Sequence, residues 1–158
     1  MYYKNATLLL ILCLPPILSE SAFHFKNYAT SQAENKTINY RNQTSGKMVV
    51  KIGTSRFTAT LYDNPAAKTF KSLLPLIVTM IELNENEKYN DLRSNLPTND
   101  HKPGTIQTGD LMIYGSSTLV LFYKTFRTSY SYTKLGRIDD VTKLGEAVGS
   151  GNVTVTFE

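Results

Sequence analysis

A chain of 158 residues with 41% hydrophobic side chains, one cysteine and no tryptophan is long enough for one packed domain plus an appendage, and too apolar for global disorder. Its 17 basic and 13 acidic side chains leave a formal net charge of +4, with the lysines and arginines scattered along the chain. Phosphate binding needs such residues gathered on one face, so no nucleic-acid partner is expected.

The amino terminus sets the expected compartment. Lys4 precedes Ala6–Leu18, an apolar stretch broken only by Thr7 and the Pro15-Pro16 pair, and the small residues Ser19 and Ser21 follow. A basic start, an apolar run and a small-residue cleavage site form the layout of a secretory signal, here residues 1–21, with Ala22 as the first mature residue. The run is too short and too proline-interrupted for a membrane span of roughly 20 residues. The protein is therefore expected to be exported: secreted, periplasmic or associated with the cell envelope. Membrane contact is expected only through an uncleaved or lipidated amino terminus. Cys13 follows Ile11 and Leu12 inside the apolar run, where a lipoprotein cysteine would follow a small residue at its end. Cleavage after Ser21 would leave neither a disulfide nor a thiol nucleophile.

Residues 22–47 are rich in Asn, Thr, Ser, Gln and Lys and cannot bury enough surface to offset their ordering entropy, so they are expected to form a polar, disordered tether. The ordered domain is expected over residues 48–158. Met48–Ile52, the turn Gly53-Thr54-Ser55, and the alternation of Phe57, Ala59 and Leu61 with polar neighbours predict a hairpin. Asp63-Asn64-Pro65 supplies a capping residue and a proline at the first helical position. Ala66, Ala67, Phe70, Leu73 and Leu74 then share one helical face before Pro75 ends the element.

Leu76–Leu83 predicts a strand, Asn84-Glu85-Asn86 a turn, and Glu87–Leu92 a strand pairing back. Arg93–Thr108 is the longest irregular stretch, and loops of that length usually have a job. Leu111–Tyr114 and Thr118–Thr125 flank Gly115-Ser116-Ser117 as a hairpin apolar on both faces, which predicts that both faces are covered. Tyr132–Ile138 predicts a further strand, and Asp139-Asp140 the cap of a second short helix with Val141, Leu144 and Val148 inward. Val153, Val155 and Phe157 alternate with threonines in a last strand. Eight strands and two helices in this order predict a mostly β fold: a closed antiparallel barrel of about eight strands with two short capping helices.

Few residues suggest chemistry. His101 beside Asp100 has no partner at metal spacing, so no metal or cofactor is expected. Glu85, Glu87 and Asp91 lie near a turn and are expected to be solvated. No glycine-rich phosphate loop and no serine elbow is present. Arg127, Tyr130 and Tyr132 in the connection after the central hairpin suit either a groove for an extended peptide or anion, or aromatics resting on the barrel.

Three segments resemble the cyclophilins. Ala59-Thr60-Leu61-Tyr62-Asp63-Asn64-Pro65-Ala66-Ala67-Lys68-Thr69-Phe70 resembles the strand-turn-helix entry of that fold. Gly109–Gly115 followed by Leu119–Tyr123 resembles its central hairpin, and Gly136-Arg137-Ile138-Asp139 its closing unit. The last two also look like the compact bacterial cyclophilin-like proteins, a group of largely unassigned role. The resemblance implies a barrel-side groove in which Phe122 matches a phenylalanine that floors the proline pocket. Tyr114 replaces a small residue there, which fills part of the groove.

Prolyl isomerisation in true cyclophilins uses an arginine in a phenylalanine-histidine-arginine phrase. Glu87–Gln107 holds no such phrase, and Arg93 is its only arginine. The family's tryptophan and histidine in a later loop are missing too, since the histidines here are His24 and His101. The expected function is thus a binding module that holds a peptide segment or small ligand in the groove, with Phe122, Tyr114, Arg127 and Tyr130 as its binding residues. The alternative is a divergent peptidyl-prolyl cis-trans isomerase acting on exported proteins, with Arg93 or Arg127 as the amide polariser. A third possibility is an accessory domain serving a separate redox or envelope partner.

Overall fold

The computed structural model describes residues 44–158. The expected signal segment and most of the expected tether lie outside the described residues. The first described strand starts ahead of Met48: β1 spans Thr44–Ile52 and takes in the last residues assigned to the tether. It pairs along its length with β2 (Ser55–Tyr62), from Thr44 opposite Tyr62 to Ile52 opposite Ser55. Backbone pairing of this kind recruits polar residues that a composition-based boundary leaves out. In β2 the alternation holds: Phe57, Ala59 and Leu61 are buried, while Arg56 and Thr58 are exposed.

Helix α1 (Pro65–Ser72) starts where Asn64 accepts a 2.8 Å hydrogen bond from the Ala67 amide, with Pro65 placed where its missing N–H costs nothing. The Asn64 amide also donates to the Lys134 carbonyl at 2.9 Å, which ties the helix start to Thr133–Ile138, the strand beside β2 in the barrel. Ala66, Ala67 and Phe70 face inward, and Phe70 meets Phe157 edge to face at 5.6 Å.

The chain continues through β3 (Leu76–Leu83), β4 (Glu87–Asp91), the two-residue β5 (Thr105–Ile106), β6 (Asp110–Tyr114), β7 (Thr118–Phe122), the two-residue β8 (Phe126–Arg127), β9 (Thr133–Ile138), helix α2 (Leu144–Val148) and β10 (Val153–Phe157). Eight of the strands close into an antiparallel barrel in the order β1-β10-β3-β4-β7-β6-β9-β2, and β5 pairs with β8 as a separate ribbon. The expected mostly β barrel with two short helices is the observed fold.

At Gly136 a Cβ would lie 2.5 Å from the Thr60 carbonyl oxygen, so only glycine permits β9 to approach β2 at that point. Between β3 and β4, Asn84 and Glu85 both have φ of 56°, the left-handed pair of a tight turn. The ribbon β5–β8 was not expected, since two-residue strands carry no periodicity.

One expectation fails locally. Asp139-Asp140 does not cap α2, which begins later, after Lys143 and without a side-chain cap. Instead Asp139 pairs with Lys47 at 2.7 Å and accepts from the Thr60 hydroxyl at 2.6 Å, while Asp140 accepts from the Thr142 amide and hydroxyl at 3.0 and 2.6 Å. Hydrogen bonds of Asp140 to the residue two ahead favour a turn over a helix start. In β4 a lysine points inward: Lys88, paired opposite Leu121, is fully buried. Its ammonium donates to Glu82 and to the carbonyls of Gly149 and Gly151, at 2.8 and 2.6 Å for the carbonyls, so three acceptors meet its three protons.

Candidate functional site

The central hairpin separates two cores. Leu111, Ile113, Leu119 and Leu121 point into the barrel. Met112, Val120 and Phe122 point outward and pack with Ile106 and Tyr132 into a second apolar cluster, against which Tyr89 and Phe126 rest. Both faces of the hairpin are covered, as its composition requires. Ile106 comes from the long irregular stretch, so that stretch has the job of roofing this outer cluster. His101 and Tyr132 exchange backbone hydrogen bonds at 3.1 and 3.0 Å and fasten the two loops together.

Beside this cluster opens a cleft of about 410 Å³. Glu87, Tyr89 and Asp91, the outward residues of β4, form one wall. Tyr114, from the end of β6, and Tyr130 and Tyr132, from the chain between β8 and β9, form another. Tyr114 lies 6.0 Å from Tyr130 with the rings at 84°, and 5.7 Å from Tyr132 with the rings at 54°. Tyr114 is 47% exposed and Tyr130 62%, unusual openness for rings whose neighbour Tyr132 is buried.

Sequence reasoning brings Tyr114, Tyr130 and Tyr132 to this site. Phe122 lies one layer below. It is fully buried, with its ring 5.5 Å from Tyr132 and 5.8 Å from Phe126, so it supports the cleft without lining it. Arg93 and Arg127 are exposed, and neither is among the residues that line the cleft. Arg127 instead pairs through its backbone with Thr105 in the ribbon. His101 is exposed, and among the described residues no three potential metal ligands gather in one place.

The residues that sequence reasoning missed are Glu87, Tyr89 and Asp91. Glu87 is half-buried, not solvated as expected. No hydrogen bond or ion pair reaches its carboxylate among the described residues, whereas the Asp91 carboxylate accepts from the Thr118 hydroxyl at 2.6 Å. Burial, reinforced by the charge of Glu82 across the β3–β4 ladder, pushes the Glu87 carboxyl up to about 7. Burial and then the Glu87 charge raise the Tyr132 phenol above its ordinary value, and burial lowers the His101 imidazole below its own.

A carboxyl with a raised pKa destabilises the fold only when ionised. The cost is absent below the ordinary value of about 4.5 and grows as pH rises toward about 7. Glu87→Gln is therefore expected to raise the thermal midpoint at pH 8 and to leave it nearly unchanged at pH 4, as measured by circular dichroism at both values.

A larger depression of about 550 Å³ lies beside Phe57 and Lys143. Its carboxylates Asp139 and Asp140 are already engaged by Lys47, Thr60 and Thr142, so it offers less to a ligand than the tyrosine-walled cleft.

The fold and site define a closed eight-stranded antiparallel barrel with a ligand-sized cleft on its outer wall. A family model described as the Cyclophilin-like family matches residues 50–158, and the chain belongs to that family. No curated protein matches the chain. Among solved structures, the solution structure of a hypothetical protein from Archaeoglobus fulgidus is similar, with 18% sequence identity, a TM-score of 0.48, and coverage of 75% of this chain and 97% of that one.

Proposed function

We propose that this barrel is a binding module that holds a peptide segment or small ligand in the outer cleft, on an exported protein. The observation that carries it is the pair of exposed rings, Tyr114 and Tyr130, standing over a second, fully packed apolar cluster. Aromatic rings left open on a rigid floor gain contact area on binding at little cost in side-chain order. The cleft also falls in the size range of small-molecule sites, about 300–1,000 Å³. Export is supported by the signal-like segment over residues 1–21, and mapping the amino terminus of the secreted product tests it.

The binding test is an NMR titration of the isotope-labelled full chain against a panel of short peptides and small ligands of positive, neutral and negative charge. Saturable shifts are expected at Tyr114, Tyr130 and Tyr132 for at least one member. Shifts that leave these residues unmoved by every member would overturn the proposal. The same samples test the isomerase alternative. With neither Arg93 nor Arg127 lining the cleft, no acceleration of prolyl cis/trans exchange is expected. An acceleration abolished by Arg93→Ala or Arg127→Ala would install the isomerase instead.

A further inference from the structure

The walls of the cleft carry a consistent chemical bias. Four tyrosines line it, Tyr89, Tyr114, Tyr130 and Tyr132, drawn from three separate parts of the chain. The steep angles of Tyr114 to Tyr130 and Tyr132 turn ring faces in more than one direction, so a bound group can meet several π faces together. Glu87 and Asp91 flank Tyr89 in the β4 wall, facing the other three tyrosines, and among the described residues no lysine, arginine or histidine lines the cleft. In a chain of net charge +4, this is a locally acidic, aromatic enclosure.

Three ligand classes meet that enclosure differently. An anion would face two carboxylates with no cation to answer it. A neutral ligand would cover Glu87 and leave its carboxylate desolvated and unpaired. A metal ion would find two carboxylates where hard cations take six or more oxygens. An organic cation would neutralise Glu87, take the free oxygen of Asp91 and stack its methyl or methylene groups on the tyrosines.

We propose that the cleft selects ligands carrying an alkylammonium group, seated over the tyrosine faces and countered by Glu87 and Asp91. This rests on the cleft being the ligand site. The charge can arrive on a small free organic ammonium ion or on a lysine side chain of a peptide, and the two share the same recognition.

The selectivity carries a pH signature. The groups facing Glu87 are Glu82 from β3, the Tyr132 phenol beyond the barrel wall, and Tyr89 and Asp91 on its own strand, while its partner on β7 is the apolar Phe122. Tyr132 titrates above its ordinary range and His101, fastened to Tyr132 through the backbone, below its own. Between pH 6.5 and 8, Glu87 is thus the group at the cleft that gains charge, and a cation should bind more tightly as pH rises through about 7.

The experiment compares choline with its uncharged isostere 3,3-dimethylbutan-1-ol, and a lysine tripeptide with its acetyl-lysine counterpart, by calorimetry and NMR on the full chain. At least one cation is expected to bind about tenfold or more tightly than its uncharged counterpart. Whichever pair shows the tighter cation identifies the source of the charge. Affinity should rise several-fold from pH 6.5 to 8 in the wild type. In Glu87→Gln the rise should vanish, and the isostere should bind at least as tightly as to the wild type, because covering the amide strands no charge. Equal binding of cation and isostere would overturn the proposal, as would preference for neutral or acidic members of the panel, while leaving the cleft as a ligand site. Failure of every ligand to move cleft resonances would overturn both.

Discussion

Glu82→Ala is expected to destabilise the domain by about 3–5 kcal/mol, toward the lower end of that range, because it strands a buried ammonium. Lys88 is fully buried, and Glu82 is its only charged partner among the described residues. The Gly149 and Gly151 carbonyls remain after the substitution and keep two of its three protons satisfied. Tyr123 loses its partner as well, since its hydroxyl donates to the Glu82 carboxylate at 2.9 and 3.0 Å while its ring lies 5.2 Å from the ammonium. Burial, then that hydrogen bond, pushes the Tyr123 phenol up to about 12.

The double variant Glu82→Leu/Lys88→Met is expected to recover most of the loss, because a well-packed apolar pair replaces a buried ion pair at little net cost. Urea unfolding of Glu82→Leu, Lys88→Met and the double variant measures the coupling directly. Additive losses would show that the pair does not act as a unit. The pH dependence has a definite sign. Burial raises the Glu82 carboxyl, but the hydrogen bonds from Lys88 and Tyr123, the Lys88 charge and the Glu85 amide together outweigh it and leave the group below its ordinary value. Its contribution is therefore complete above about 4.5 and is lost as pH falls through the lower folded value. Glu87 acts in the opposite sense, so Glu82→Ala and Glu87→Gln should shift the pH–stability curve in different windows.

The second large effect is expected at Phe122. Truncation to alanine removes the centre of the outer cluster and should cost about 3–5 kcal/mol, whereas Phe122→Leu should cost roughly 1–1.5 kcal/mol. Phe122 sits beneath Tyr132, and Tyr132 lines the cleft, so the alanine variant should also weaken ligand binding without any contact between Phe122 and ligand. Binding by Phe122→Leu near the wild-type level would separate support from contact. Equal loss of binding in both variants, with Phe122→Leu still fully folded, would instead place Phe122 against the ligand.

Much of the architecture was legible in the residues. The inward Phe57, Ala59 and Leu61 mark β2 without help from the rest of the chain, and Asn64-Pro65 marks the start of α1. Where the pattern is polar on both faces it misleads. In Glu87-Lys88-Tyr89-Asn90-Asp91 the inward position holds a lysine, because the fold supplies three acceptors that no local window contains. That inversion sends Glu87, Tyr89 and Asp91 outward together and hides the acidic wall of the cleft. Tyr114, Tyr130 and Tyr132 were visible because they adjoin a recognisable hairpin. Their meeting with β4 depends on the β4–β7 ladder, a pairing of segments about thirty residues apart in sequence. The mistaken helix cap at Asp139 has the same origin: Lys47 and Thr60, which claim that carboxylate, lie far upstream.

The position of β10 has a kinetic consequence. This strand sits between β1 and β3, with Val50 opposite Phe157 and Val155 opposite Val78, so the barrel closes through contacts spanning about a hundred residues. Closures of such high contact order are slow, in the range of milliseconds to seconds for β folds. Until β10 arrives, β1 and β3 each present an unpaired edge, and the matching strand of another molecule fits the same slot. Refolding at high concentration should therefore yield strand-exchanged dimers that dilution converts only slowly to monomers.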